Sequence, residues 1–235
     1  MGLGVFAAGC GGKDDSNDSL PNSSAGTGSS TTTGGTAAGS SGGSSNGGTS
    51  ATGGSTSGKT QAQICEASCK TQASCAGISE SVCVSQCNAT GQVFTGQCLE
   101  LQLAEYECIT GMTCDELTQY ANDKLVDAKC GATYTEFATT CLRDGTMPPQ
   151  PCIDFCTKTK GCRSTARDVN GCAQTCNELL TGYELVGGEG CAAAFENAYV
   201  CFGTLECSDI DVIFDQQLTP APCAQHDQLV TTACR

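Results

Sequence analysis

The chain has 235 residues, of which 21 are cysteine, and it contains one histidine and no tryptophan. Its formal net charge of −14 disfavours binding to nucleic-acid phosphates, and it contains no apolar run of about eighteen residues that would span a bilayer. No C-x2-C pair occurs, whereas structural zinc sites and iron–sulfur clusters commonly use such close pairs. We therefore expect disulfides formed in an oxidising compartment, and no metal or other cofactor.

The first ten residues end in Ala7-Ala8-Gly9-Cys10. This segment resembles the lipobox of bacterial lipoproteins, in which small residues precede an acylated cysteine, although Ala7 stands where that family prefers Leu. The resemblance implies that residues 1–10 are the remnant of a lipoprotein signal. It also implies that a lipid on Cys10 anchors the protein in a membrane. Gly11 and Gly12, with no Asp directly after Cys10, resemble the sorting signal for the bacterial outer membrane or cell surface.

A segment of low complexity follows Cys10. Residues 22–58 contain only Asn, Ser, Ala, Gly and Thr, a composition that buries no core and is typical of flexible linkers. We interpret residues 11–60 as a disordered tether, with a root-mean-square span of roughly 40 Å as a random coil. A lipid-attached cysteine, a polar tether and a cysteine-rich body together resemble cysteine-rich bacterial surface lipoproteins. The alternative is that Cys10 is an ordinary disulfide cysteine.

Twenty cysteines follow the tether, in two sets of ten with nearly equal spacing. The first set is Cys65, Cys69, Cys75, Cys83, Cys87, Cys98, Cys108, Cys114, Cys130 and Cys141. The second set is Cys152, Cys156, Cys162, Cys172, Cys176, Cys191, Cys201, Cys207, Cys223 and Cys234. Seven of nine steps agree, and the other two are longer in the second set by two and four residues, as loop insertions would be. The sequence therefore predicts a tandem duplication, with independent modules at residues 61–147 and 148–235.

Several local signals favour helices over strands. Apolar side chains in residues 191–202 recur with helical spacing, and a C-x3-C pair places both sulfurs on one helical face. Residues 113–116 are typical of a capping box. We therefore predict an all-α, disulfide-rich fold of helical hairpins. The helices of module 1 are expected near residues 62–71, 79–89, 97–109, 115–121 and 131–142.

The cysteine spacing within a module resembles two known helical hairpins in series. Residues 65–87 are similar in spacing to the twin C-x3-C hairpins of plant α-hairpinins and small mitochondrial translocase chaperones. Residues 98–141 are similar to a twin C-x9-C hairpin with one extra residue in its second arm. These resemblances cover spacing alone and imply an antiparallel hairpin fold.

The geometry of such hairpins favours nested disulfides, because the outer cysteines of the two arms meet and so do the inner ones. For module 1 we predict the pairs Cys65–Cys87, Cys69–Cys83, Cys98–Cys141, Cys108–Cys130 and, between the hairpins, Cys75–Cys114. For module 2 we predict Cys152–Cys176, Cys156–Cys172, Cys191–Cys234, Cys201–Cys223 and Cys162–Cys207. No disulfide is expected between the modules.

One stretch of module 2 concentrates positive charge. It holds four of the 11 basic residues of the chain, which are Lys158, Lys160, Arg163 and Arg167, whereas the equivalent residues 71–80 of module 1 hold none. We expect this basic patch at the tip of a hairpin. There it would suit an anionic glycan, a lipid head group or a protein partner. An ordinary solvated loop is the alternative.

Two other elements suggest chemistry. His226-Asp227, beside a cysteine, resembles the His-Asp element of secreted phospholipases A2, but no Gly-rich calcium loop precedes it. Asp209, Asp211 and Asp215 favour a solvent-facing acidic cluster over a calcium site. The sequence therefore predicts a non-enzymatic surface lipoprotein whose modules serve binding or envelope structure. The alternatives are a carrier or chaperone for hydrophobic segments and a hydrolase that uses His226.

Disulfide pairing of all twenty cysteines of the two modules leads to a direct prediction. A thiol reagent added to denatured, unreduced protein should label Cys10 at most, because every other sulfur is already bonded. Mass spectrometry of the labelled peptides checks this. Labelling at several cysteines of the modules would contradict the disulfide interpretation and favour metal binding.

Overall fold

In a computed structural model, the structure describes residues 58–127 and 129–235. Cys10, the predicted lipobox and the tether up to residue 57 lie outside these residues. The described part contains α-helices and no strand, which confirms the predicted all-α fold. Module 1 consists of α1 (Gln61–Ala76), α2 (Glu80–Val93), α3 (Gly96–Thr110), α4 (Cys114–Asn122) and α5 (Gly131–Cys141). Module 2 consists of α6 (Gln150–Cys162), α7 (Val169–Gly203), α8 (Cys207–Asp215) and α9 (Ala224–Ala233), with a 3-10 turn at Ala221–Cys223.

Local sequence signals account for where these helices begin. The predicted capping box at Thr113 is present at the start of α4, and a second one, formed by Thr60 and Gln63, starts α1. In both boxes the threonine side chain accepts a hydrogen bond from a backbone N–H that the helix leaves unpaired. Pro151 lies in the first turn of α6, where its missing N–H costs no helical hydrogen bond. None of the described helices is long and apolar enough to cross a membrane.

The four-residue insertion of module 2 is helical, contrary to the expected loop. In module 1 the chain leaves the helix between α2 and α3, whereas α7 continues for 35 residues with one non-helical residue, Gly188. The added residues extend the first arm of α7, and Gly188 then bends the chain with φ 80°. This left-handed conformation is unfavourable for other residues. A Cβ on Gly187 would lie 2.7 Å from the Sγ of Cys191, so two consecutive glycines allow the bend.

All twenty cysteines of the described part form disulfides, in ten pairs with the nested connectivity that the hairpin geometry predicts. The Cα atoms of the pairs lie between 4.7 Å, at Cys191–Cys234, and 5.9 Å, at Cys108–Cys130. These distances lie in the normal range for disulfides. Each pair joins two helices or the loops at their ends, and no pair joins the two modules. Such a number of disulfides is typical of an oxidising, extracellular environment.

Each module has its own hydrophobic core, in which aromatic rings supply much of the volume. In module 1 the buried rings of Phe94 and Phe137 meet edge to face at 5.4 Å between centroids. In module 2, Phe155 lies among several rings and is 5.5 Å from Tyr199. Buried disulfides pack against these rings and complete the cores.

The two modules pack against each other within one compact unit, although the sequence predicts independent modules. Helix α4 and the loop after it lie against the first arm of α7, which approaches closely because residue 171 is glycine. A Cβ on Gly171 would lie 2.8 Å from the carbonyl oxygen of Asn122 and closer still to that of Ala121. The interface also buries polar groups, which the sequence pattern of a single module does not reveal.

Gly171 therefore provides a test of module packing. Gly171→Ala should lower the free energy of unfolding by about 1–3 kcal/mol, because the new methyl group meets backbone atoms that cannot move aside. Urea denaturation of the disulfide-bonded protein measures this change. The matched control is Gly161→Ala in α6, where nothing lies within 4 Å of the new methyl group. This control should be neutral or stabilise the protein, and equal losses in the two variants would contradict the interface.

Candidate functional site

The basic patch predicted from the sequence lies at the end of α6 and in the loop between α6 and α7. Two of its four residues are engaged by groups of the same module. Lys160 forms an ion pair with Asp168 at 3.0 Å, and it donates to the backbone oxygens of Ser164 and Ala166 at 3.3 and 2.7 Å. Lys160 thus holds the loop that follows α6 by bonding to two of its backbone carbonyl oxygens.

Arg163 connects the same loop to α8. Its guanidinium lies 2.9 Å from an oxygen of Asp211 and 3.0 Å from one of Asp215, and it also lies over the ring of Phe214. Two of the three residues of the acidic cluster predicted in α8, Asp211 and Asp215, therefore pair with this arginine. Among the described residues, no group of three or more His, Cys, Asp or Glu side chains is arranged to hold a metal ion.

The other two residues of the patch are less constrained. No carboxylate of the described residues lies within ion-pair distance of Lys158 or Arg167. Lys158 lines a shallow depression of about 390 Å³, together with Asp154 and Thr157 of α6 and with Val200 and Thr204 at the end of α7. Arg167 lies near Lys124 of module 1, and its positive charge partly opposes the rise in the pKa of that lysine that Glu105 and Glu178 cause. Three carboxylates thus neutralise two of the four cations of the basic loop, Lys160 and Arg163.

His226 and Asp227, the candidate catalytic pair, lie next to each other in α9. Consecutive residues of a helix point in different directions. Asp227 accepts a hydrogen bond from the hydroxyl of Thr219 at 2.9 Å, which ties the preceding loop to the helix. The Nδ1 atom of His226 is buried and has no hydrogen-bond partner among the described residues. The structure thus places Asp227 in a structural contact, and no carboxylate of the described residues forms an ion pair with His226.

A buried polar network at the module interface was not predicted from the sequence. Its centre is Lys124, in the loop after α4, which forms ion pairs with Glu105 of α3 at 3.2 Å and with Glu178 of α7 at 2.6 Å. The hydroxyl of Tyr120 donates to Glu105, and Tyr134 lies close enough to Glu178 for that negative charge to act on its hydroxyl. Glu178 belongs to module 2, whereas the other four residues belong to module 1.

Burial and charge shift the protonation of this network. Burial opposes the charge of Lys124, but the two carboxylates outweigh it and raise its pKa. Burial raises the pKa of Glu105, and the negative charge of Glu178 raises it further, against the effects of Lys124 and the Tyr120 hydroxyl. Burial and the nearby carboxylates also raise the pKa of both tyrosines, so their hydroxyls remain donors.

Backbone amides also bond across the interface. The amide of Lys124 donates to the Oε1 of Gln174 at 2.8 Å in a buried position, and the amide of Arg143 donates to the hydroxyl of Thr181 at 3.2 Å. Arg143 lies in the segment between the modules, and its side chain forms ion pairs with Glu184 and Glu196, one on each arm of α7. The connecting segment is thus fixed to module 2.

The interface residues have no counterparts at equivalent positions of the repeat. The cysteine alignment places Ala198 where module 1 has Glu105, and Gln217 where module 1 has Lys124. It also places Ala89 where module 2 has Glu178. A comparison of the two copies could therefore have flagged these positions, since a buried charge that occurs in one copy only is unnecessary for the module fold. Comparisons of the chain with protein-family models, curated proteins and solved structures found no match.

Proposed function

We propose that this protein is a non-enzymatic surface lipoprotein, held at a bacterial outer membrane or cell surface by a lipid on Cys10. Its paired modules serve binding or envelope structure. The observation that carries the proposal is that the twenty cysteines of the modules bond to one another in ten pairs, so Cys10 has no disulfide partner among them. The small residues before Cys10 and the polar segment after it fit the same arrangement.

The folded part suits an exposed location. Within residues 58–127 and 129–235, ten disulfides hold nine α-helices, and each bond is expected to add roughly 2–4 kcal/mol by restricting the unfolded chain. Such a disulfide-bonded body suits an oxidising environment outside the cytoplasm. Its excess of acidic residues favours solubility at a surface.

Acylation of Cys10 is the decisive test of this proposal. Mass spectrometry of the mature protein from its native cells should find a diacylglyceryl thioether on Cys10. Cys10→Ser should remove the lipid and shift the protein from the detergent phase to the aqueous phase in detergent partitioning. Ser19→Ala, a comparable change in the predicted tether, should have no effect. An unmodified thiol or a disulfide at Cys10 in membrane-bound protein would overturn the proposal.

The basic loop supports an anionic glycan as the partner of the surface protein. Lys158 and Arg167 supply two cations that no carboxylate of the described residues pairs with, at the end of a hairpin fixed by the Cys156–Cys172 and Cys162–Cys207 disulfides. Each exposed contact contributes at most about 1 kcal/mol, so the binding is weak and sensitive to salt. Several anchored copies on one surface would strengthen it.

Chromatography on a sulfated polysaccharide column tests this partner. The full chain should be retained at low salt and released by added salt. Reversal of two charges, Lys158→Glu with Arg167→Glu, should move elution to a clearly lower salt concentration. The control reverses two charges outside the loop, Lys59→Glu just before α1 with Lys70→Glu in α1, and should elute like the unmodified chain. Equal shifts in the two double variants would contradict binding by the basic loop.

A further inference from the structure

The charges in the interface network are unbalanced. Two carboxylates, Glu105 and Glu178, face the single ammonium of Lys124, and the exposed fractions of these three side chains are only 4%, 18% and 10%. Burial of an excess negative charge is unfavourable, and uptake of one proton removes it. Glu105 is the more buried of the two carboxylates and therefore gains most from protonation.

The other groups around Glu105 do not supply the missing positive charge. From α4 and α5 it faces the phenols of Tyr120 and Tyr134, and Tyr106 follows it in α3. All three phenols stay protonated because burial raises the pKa of each. Farther away, Arg167 acts on Lys124 and Asp123 acts on Tyr134, with opposite charges. The pair of carboxylates and the one ammonium therefore determine the local balance.

Docking of module 2 changes the affinity of Glu105 for a proton. Helix α7 brings the negative charge of Glu178 towards Glu105, and this charge favours the protonated carboxyl. Because linkage is reciprocal, a proton on Glu105 must favour docking to the same extent. A carboxyl whose pKa is raised stabilises the docked form as the pH falls through that raised value. Below the pKa that Glu105 has in the undocked form, this stabilisation no longer changes with pH.

Opening of the interface would break no disulfide and would leave both hydrophobic cores intact. Five disulfides lie entirely within module 1 and five entirely within module 2, and each module has its own buried core. The interface between them depends on hydrogen bonds, ion pairs and the close approach at Gly171. A protein opens locally at the parts that are held by the fewest stabilising contacts.

We propose that the interface is a proton-dependent latch, in which uptake of one proton by Glu105 closes the two rigid modules on each other and its release favours their separation. The latch lies within the folded part, and it requires neither a lipid on Cys10 nor a bound glycan. It gives the protein a docked form at mildly acidic pH and a more readily opened form at higher pH.

The backbone amide of Lys124 reports directly on the latch, because its acceptor is Gln174 of the other module. Amide exchange of the full chain, measured by NMR between about pH 4.5 and 7.5 and corrected for the intrinsic rate, gives its protection factor. As the pH falls, protection should rise by more than threefold in total, and by no more than tenfold per pH unit for one proton. The amide of Ala138, within α5, should not show this rise.

Two glutamine variants separate the latch from a merely structural role. Glu105→Gln mimics the protonated carboxyl, so the Lys124 amide should be protected at neutral pH at least as well as in the unmodified chain, with no remaining dependence on pH. Glu100→Gln makes the same change at an exposed position of α3 and should behave like the unmodified chain. Protection that is flat or falls as the unmodified chain is acidified would overturn the proposal. Weaker protection at neutral pH in Glu105→Gln would do the same.

Discussion

Nested disulfides are the constraint on which the rest of the structure depends. In each hairpin two bonds join the same pair of helical segments at two levels, as Cys65–Cys87 and Cys69–Cys83 do. Two covalent links fix both the register and the antiparallel direction of two helices, which a single link would not do. The cores therefore need few large side chains, and the 11 Phe and Tyr residues of the described part are sufficient to fill them.

The sequence predicts this scaffold well because helical periodicity and disulfide geometry act over short distances. A cysteine pair four residues apart lies on one helical face whatever the rest of the chain does. Thr113 and Glu116 form their capping box from a pattern of four residues. The helical insertion before Gly188 was missed because the cysteine spacing measures the length of an insertion and carries no information about its conformation.

The module interface could not be predicted in this way. Glu178 and Lys124 are 54 residues apart, and neither belongs to a pattern that points to the other. The same limit applies to the basic loop, whose charge pattern gives no sign that Arg163 meets Asp211 and Asp215 of α8. Such contacts arise from the packing of complete helices, so their partners are specified only once the hairpins have their final arrangement.

The contact between the modules joins two different surfaces, and a contact of this type can in principle continue from copy to copy into a filament. The equivalent surface of module 1, on α2, lacks the features of α7 that form this contact. At the position of Gly171 its own helix α2 carries Val82, which is 51% exposed, and its side chain occupies the space that the close approach requires. Valine at this position, together with Ala198, Gln217 and Ala89 in place of Glu105, Lys124 and Glu178, leaves the outer sides of the two modules without the groups that join them to each other.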